Sequence, residues 1–263
     1  MNDKLKIYVS THKKYNFPVD DIYIPVQVGI DEGAPVLGYQ GDNTGDNISF
    51  KHKYYSDLST MYWVWKNSNV EYAGVCHYRR YFVSKKNKNR GNKKLNKILN
   101  EKEILDLLKD NDILIPKKRN YFIETIESHF KHTHGNDDYD VLRQILKEKN
   151  QKAYDAFNIV SKCRSAHIFN CFIMKKEYFN SYCSFIFPIL FELEKRVDIS
   201  NRTEYEMRFC GYLAEFLLDT WLIINNYPYK EIKLKVIEGE KKLKKIIAFL
   251  KAKFFSIKYD KSF

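Results

Sequence analysis

The segment Tyr72-Ala-Gly-Val-Cys-His-Tyr-Arg-Arg-Tyr-Phe82 limits the fold more than any other part of the chain, because an apolar, strand-like run stops abruptly at a histidine and two adjacent arginines. Successive side chains of a strand point to opposite faces, so Arg79 and Arg80 cannot both be buried on one face. Two readings stay open: an edge strand with solvated arginines, or a strand end whose arginines meet an anion.

The surrounding pattern alternates strands and helices. Leu5 to Ser10 reads as a first strand that feeds the polar loop Thr11-His-Lys-Lys14, an order compatible with the ligand-facing end of an α/β sheet. Ser56 to Asn67 reads as a helix with Ser56 or Asp57 at its cap, and it delivers the chain into the strand at Val70 to Cys76. Glu101 to Leu108 is helical in pattern, and Asp112-Ile-Leu-Ile-Pro116 is a short buried-type strand stopped by proline. Ala166 to Met174 reads as a further strand. The helix Glu177 to Lys195 accommodates Pro188 by bending or splitting, and a second long helix covers Glu204 to Asn225. The fold class expected is α/β, with a mixed central sheet flanked by helices.

Polar residues in this frame mark candidate sites. Residues 18 to 48 hold Pro18, Pro25, Pro35 and five glycines, and within them Gly38-Tyr-Gln-Gly-Asp-Asn-Thr-Gly-Asp-Asn-Ile48 offers Tyr39, Asp42 and Asn43 to a base, ribose or sugar hydroxyls. Turn formation explains the same residues, and the lysine of a P-loop is absent. His129, His132 and His134 lack the i, i+4 spacing of a zinc pair, so no metal site is expected there. Asp137 or Asp138 is placed to cap the helix that follows. Asn170 interrupts an apolar run, and a buried amide needs partners from backbone or ligand. Arg208 and Glu215 lie seven apart on one helical face, either as an internal ion-pair ladder or facing a substrate.

A net charge of +12 implies an anionic partner, and the excess lies in Lys85 to Lys97 and beyond Lys230, away from the aromatic segment. The first stretch reads as an exposed, phosphate-attracting flap. In the second, Leu243, Ile246, Ile247, Leu250 and Phe254 form one helical stripe among lysines, which suits an anionic bilayer surface. The division expected is therefore a main domain over residues 1–229 and a basic amphipathic tail over 230–263. No RNP-like or helix-turn-helix signature supports nucleic-acid binding. Five cysteines without paired spacing read as reduced thiols. With no long apolar segment at the N-terminus and no bilayer-spanning run, the chain is expected in the cytoplasm, peripherally on the inner face of the plasma membrane.

Several motifs carry a resemblance. Thr11-His-Lys13, Gly41-Asp-Asn-Thr-Gly-Asp-Asn-Ile-Ser49, Tyr62-Trp-Val-Trp-Lys-Asn67 and His77-Tyr-Arg-Arg-Tyr-Phe82 resemble a bacterial family of capsular and exopolysaccharide glycosyltransferases, long labelled a domain of unknown function. Asp138 to Arg143, Asn170 to Lys176, Tyr182 to Phe187 and Arg208 to Glu215 match later motifs in the same order. The family pattern usually has methionine where this chain has Cys171 and arginine where it has Phe216.

That resemblance implies a GT-A-like nucleotide-sugar-binding fold and transfer of a sugar, galactose in pyranose or furanose form, from a UDP-sugar to a lipid-linked glycan. It implies donor binding by Thr11, His12, Tyr39, Asp42, Asn43, His77, Arg79 and Arg80, and substrate binding by His134, Asn170 and Arg208. Where related folds hold a divalent metal with Asp-x-Asp, this chain has His77-Tyr-Arg79, so Arg79 or Arg80, with His77, is expected to neutralise the diphosphate directly. Manganese or magnesium is the alternative, with Asp42 or Asp138 as ligands. Asp138 and Glu215 are the general-base candidates for an inverting transfer. The competing functions are a noncatalytic scaffold for polysaccharide assembly and, further off, a nucleic-acid-binding protein.

Overall fold

The computed structural model describes residues 4–84, 95, 97–134 and 137–238. In chain order its first elements are β1 (Leu5–Thr11), β2 (Tyr23–Gln27), β3 (Gln40–Gly41), α1 (His52–Tyr55), α2 (Leu58–Asn67), β4 (Tyr72–His77), β5 (Arg80–Phe82), α3 (Glu101–Leu108) and β6 (Ile113–Pro116). There follow β7 (Arg119–Asn120), α4 (Ile126–His134), α5 (Asp138–Lys149), α6 (Gln151–Lys162), β8 (Ser165–Ala166), β9 (Phe172–Lys175), α7 (Lys176–Arg196), α8 (Phe209–Asn225), β10 (Lys230–Ile232) and β11 (Leu234–Val236). Two compact units result. The first holds the described residues of Met1–Lys117, Phe169–Ser184 and Tyr227–Glu238; the second holds those of Lys118–Ile168 and Phe185–Asn226.

The first unit is built on the expected mixed sheet, seven strands in the order β10-β6-β9-β4-β1-β2-β3. β1 pairs parallel with both β2 and β4, whereas β9 runs antiparallel between β4 and β6. The chain leaves β1 toward β2 and β3 and then returns to β4 on the other side of β1. This reversal makes the carboxyl ends of β1 and β4 a topological switch point, where open α/β sheets leave a crevice. Leu5, Ile7 and Val9 of β1 and Ile173 of β9 are wholly or almost wholly buried. Gly74 in mid-β4 lets them close: a Cβ there would stand 2.9 Å from Ile173 Cγ1 and 3.1 Å from Ile7 Cγ1. The start of α7 packs Phe179 and Tyr182 edge-on against Phe172 of β9. Its first residue, Lys176, donates to the carbonyl of Val64 in the last turn of α2 at 3.1 Å.

Three sequence expectations need correction. The run Ala166–Met174 is not one strand: Phe169 (φ 86°) and Asn170 (φ 48°) turn through left-handed backbone between β8 and β9. Lys230–Ile232 is the edge strand beside β6, so the residues directly after 229 are sheet rather than tail. The basic stripe from Leu243 to Phe254 lies outside the described residues, as does most of Lys85–Lys97. Finally, α7 does not split at Pro188 but continues through it, with Pro188 and Ser184, whose carbonyl loses its helical donor, both on the exposed side.

The second unit is helical, with the short ladder β7–β8 beside it. Phe130, Tyr139 and Phe157 are buried together, and the Tyr139 hydroxyl shares a 2.8 Å hydrogen bond with Ser161. Asn150 ends α5 and caps α6, its side chain accepting from the Ala153 amide at 3.0 Å. A buried His167 is clamped by Asp219 of α8, which accepts from the His167 amide at 3.0 Å and hydrogen-bonds its ring Nδ1. Among the described residues no helix is long and apolar enough to cross a membrane.

Candidate functional site

The switch point brings together residues from several segments of the first unit. Ser10 of β1 stands opposite His77 of β4, and the Tyr78 amide donates to the Ser10 carbonyl at 3.0 Å. Thr11, buried, accepts from the Lys13 amide and donates to the Lys13 carbonyl through its hydroxyl, so it shapes the loop that carries His12 and Lys13. Tyr78 is the floor. Lys13 Nζ lies 5.1 Å and the Arg79 guanidinium carbon 5.3 Å from its ring centroid, and His12 and Tyr15 meet it edge-on. Phe17 contacts Tyr15 and then Tyr39, which places the expected Tyr39 at the end of a row of rings.

The structure separates the roles of the two arginines. Arg79 is one-third exposed and directs its guanidinium, with the Lys13 ammonium, at the Glu238 carboxylate, at 3.9 and 3.8 Å. Arg80 lies over the Phe169 ring at 4.5 Å and acts on Asp57 beneath the site. Both arginines are therefore taken up, but only Arg79 is aimed at an exposed anion. The neighbouring strand β11, paired with β5, brings Glu238 there, and the Ile237 amide donates to the Arg79 carbonyl at 2.8 Å.

His77 is buried, and its Nδ1 accepts from the Arg79 amide at 3.3 Å. Burial lowers its pKa to about 4, with Arg80 and Arg79 adding to the effect against Asp57. At neutral pH its ring is uncharged and offers a hydrogen-bond donor. Asp57 stands at the N-cap position of α2, as expected, but its side chain serves another purpose. It makes no cap bond to α2; its carboxylate instead accepts from Ser10 Oγ at 3.1 Å. Burial raises its pKa, but His77, Arg80 and His52 outweigh burial and hold it below the usual range. The preceding residue, Ser56, has φ 49° and ψ −129°, a strained backbone that turns the carboxylate inward.

The remaining expected donor residues, Asp42 and Asn43, serve the loop after β3. Asp42 is wholly buried and accepts from Ser49 Oγ at 2.7 Å, and burial pushes its carboxyl up. Asn43 donates to Asp31 at 3.1 Å. Its side chain fills the space beside Gly41, where a Cβ would stand 2.3 Å from Asn43 Oδ1.

The second unit holds the other candidates. His134 is enclosed by Phe130, Tyr205 and Tyr212, with ring centroids 4.4 to 5.3 Å away. Burial lowers its pKa to about 3 from 6.5, against the weaker pull of Glu206. Below the unfolded value the unfolded chain takes up a proton that the folded chain refuses, so stability falls as the pH drops from 6.5 toward 3. His134→Phe is expected to remove about 2 kcal/mol of that loss by about pH 5, seen as a flatter pH dependence of the urea midpoint. Asp138, nearly buried, receives Arg202 Nη1 at 2.8 Å and Nη2 at 2.7 Å. It does not cap α5, and neither does the Asp137 side chain. Arg208 is exposed and ends a 3₁₀ turn, so α8 begins after it and it does not share a regular α-helical face with Glu215. Asn170 stays in the first unit, next to the Phe169 that supports Arg80.

The described residues present no ready-made divalent-cation site. Among the described residues no group of three or more His, Cys, Asp or Glu side chains could hold a metal ion. Of the two expected ligands, Asp138 gives both oxygens to Arg202 and Asp42 is closed in by its loop. The cations described beside Tyr78 at the switch point are Lys13 and Arg79.

Comparison with known proteins agrees with the fold. The family model described as "Domain of unknown function (DUF4422)" matches residues 6–226. The chain belongs to that family. Its structure is similar to a solved structure titled "WbbM bifunctional glycosytransferase apo structure", with a TM-score of 0.83 and 30% sequence identity over 90% of this chain. The match takes in 46% of that larger chain, so this chain spans about half its length. No curated protein matches. The family match ends at residue 226, whereas the first unit continues through β10 and β11 to Glu238.

Proposed function

We propose that the chain is a glycosyltransferase that takes a hexose, galactose in pyranose or furanose form, from a UDP-sugar and passes it to a lipid-linked glycan in surface-polysaccharide assembly. The observation that carries this reading is the Lys13–Tyr78–Arg79 cluster at the switch point, already holding a carboxylate, on a fold shared with a glycosyltransferase. Sugar transfer breaks the bond between the anomeric carbon and the diphosphate, and the departing oxygens gain negative charge. A guanidinium and an ammonium set before the reaction stabilise that charge without a metal. His77 adds a neutral donor, while Thr11, His12 and Tyr39 shape the pocket for the nucleotide.

If the transfer inverts the anomeric centre, the acceptor hydroxyl attacks as its proton moves to a carboxylate. Glu215 is the candidate we carry forward, because Asp138 has no oxygen left outside its arginine fork. Acceptor contacts are assigned to His134, Asn170 and Arg208. The chain would work at the cytoplasmic face of the membrane, with the basic stretch after Glu238 drawn to anionic lipid.

Thermal stabilisation measured against a panel of nucleotide sugars, with EDTA and with manganese, tests the proposal. Selective stabilisation by a UDP-hexose in EDTA is expected; indifference to every nucleotide sugar would leave the scaffold reading. Glu238 supplies a second test. Its contacts are solvent-exposed and worth about 0–1 kcal/mol, so a phosphate can displace it. Glu238→Ala is therefore expected to tighten UDP binding about two- to fivefold by calorimetry.

A further inference from the structure

The loop after β7 displays a feature that the switch-point site does not use. Phe122 is 74% and Ile123 56% exposed, at a tip whose two stems are fastened to the same short stretch of chain. The Tyr121 amide donates to the Arg164 carbonyl at 2.8 Å, and the Ile126 amide donates to the Cys163 carbonyl at 2.9 Å. Phe122 itself has φ 57°, a left-handed conformation that is costly for an aromatic residue, and its amide is held by Asn120 Oδ1 at 2.6 Å. Below the tip the Glu124 side chain is 1% exposed and is gripped by His129 and His132 of α4. A bulky apolar pair thus stands out in water on a backbone held at both stems.

The charges around the tip are of one sign. Lys118 and Arg119 precede it, Lys162 and Arg164 border its stems, and all four are exposed. The nearest acids are engaged or set back: Glu124 faces its histidines, Glu127 is bound by Lys131 and Arg143, and Asp155, two turns back along α6 from Lys162, accepts from Gln151. Two side chains are far too little apolar area for a stable protein interface, which buries about 800 Å² per partner. They are enough to enter the headgroup boundary of a bilayer when cationic side chains beside them are drawn to anionic lipid.

We propose that the Phe122–Ile123 tip is a membrane-insertion loop that docks the second unit on an anionic bilayer surface. This contact is independent of the switch-point site and of the basic stripe after Glu238. Its test uses the full chain and phosphatidylcholine vesicles with or without phosphatidylglycerol. Phe122→Ser combined with Ile123→Ser is expected to weaken sedimentation with the anionic vesicles about tenfold while leaving the melting midpoint in place. Phe122→Trp is expected to gain a tryptophan signal, above that of the wild-type chain, that acyl-brominated lipid quenches. Unchanged sedimentation of the double variant, or no added quenching in Phe122→Trp, would overturn the proposal. So would a dimer that the double variant disperses with vesicle binding intact, which would assign the tip to a second copy of the chain.

Discussion

Arg79→Ala is expected to lower kcat/KM for sugar transfer by about 10²–10³-fold, the loss typical of removing one preorganised donor from a developing anion. Arg79 is the arginine aimed out of the switch point, and its charge partner, Glu238, is exposed and displaceable. Arg79→Lys should recover only part of the loss, because it restores the charge but not the two-pronged fork that matches phosphate oxygens. The melting midpoint should move little, since the ion pair with Glu238 is exposed. Arg80→Ala is expected to behave differently. It strips the cation from the Phe169 ring and from above Asp57, so stability and activity should fall together. Initial rates and melting curves of the three variants, measured side by side, distinguish a ligand-facing arginine from a supporting one.

Arg202→Ala is expected to destabilise the chain by about 3–5 kcal/mol, the cost of leaving a buried carboxylate without its partner. The pair is nearly sealed from solvent, with side-chain exposures of 9% for Arg202 and 4% for Asp138, and both carboxylate oxygens are engaged. Asp138→Asn should cost nearly as much, because it leaves the guanidinium facing a neutral amide. Replacing both residues with leucine should recover much of the loss, as buried ion pairs are seldom more stable than well-packed apolar groups. The same variants examine the base assignment. A general base at Asp138 would show itself as an Asp138→Asn protein of native stability and no turnover; an anchoring pair shows itself in urea denaturation.

Local pattern made the sheet legible. The apolar run of β4 and the proline that ends β6 set those strands within a residue or two, and Arg79, in the turn after β4, faces different surroundings from Arg80 at the start of β5. What stayed hidden depended on partners distant in the chain. Asp57 reads as a helix cap from its neighbours alone; that it turns to Ser10 and His77 follows from the pairing of β1 with β4. Glu238 reaches Lys13 and Arg79 only because β11 pairs with β5, a contact between segments some 150 residues apart. Asp42 looks like a ligand acceptor in a glycine-rich loop, and only the packing of that loop shows it enclosed. Phe169 and Asn170 read as strand because their left-handed backbone leaves no mark in an apolar run that contains no glycine.

The claim at the centre of this account is that Lys13 and Arg79, at the switch point between β1 and β4, hold the diphosphate of a sugar nucleotide without a metal. A crystal structure of the chain grown with UDP and EDTA tests it most directly. The account predicts the terminal phosphate within hydrogen-bonding distance of the Arg79 guanidinium and the Lys13 ammonium, with the Glu238 carboxylate displaced from both. UDP bound elsewhere, with Lys13 and Arg79 still against Glu238, would contradict it.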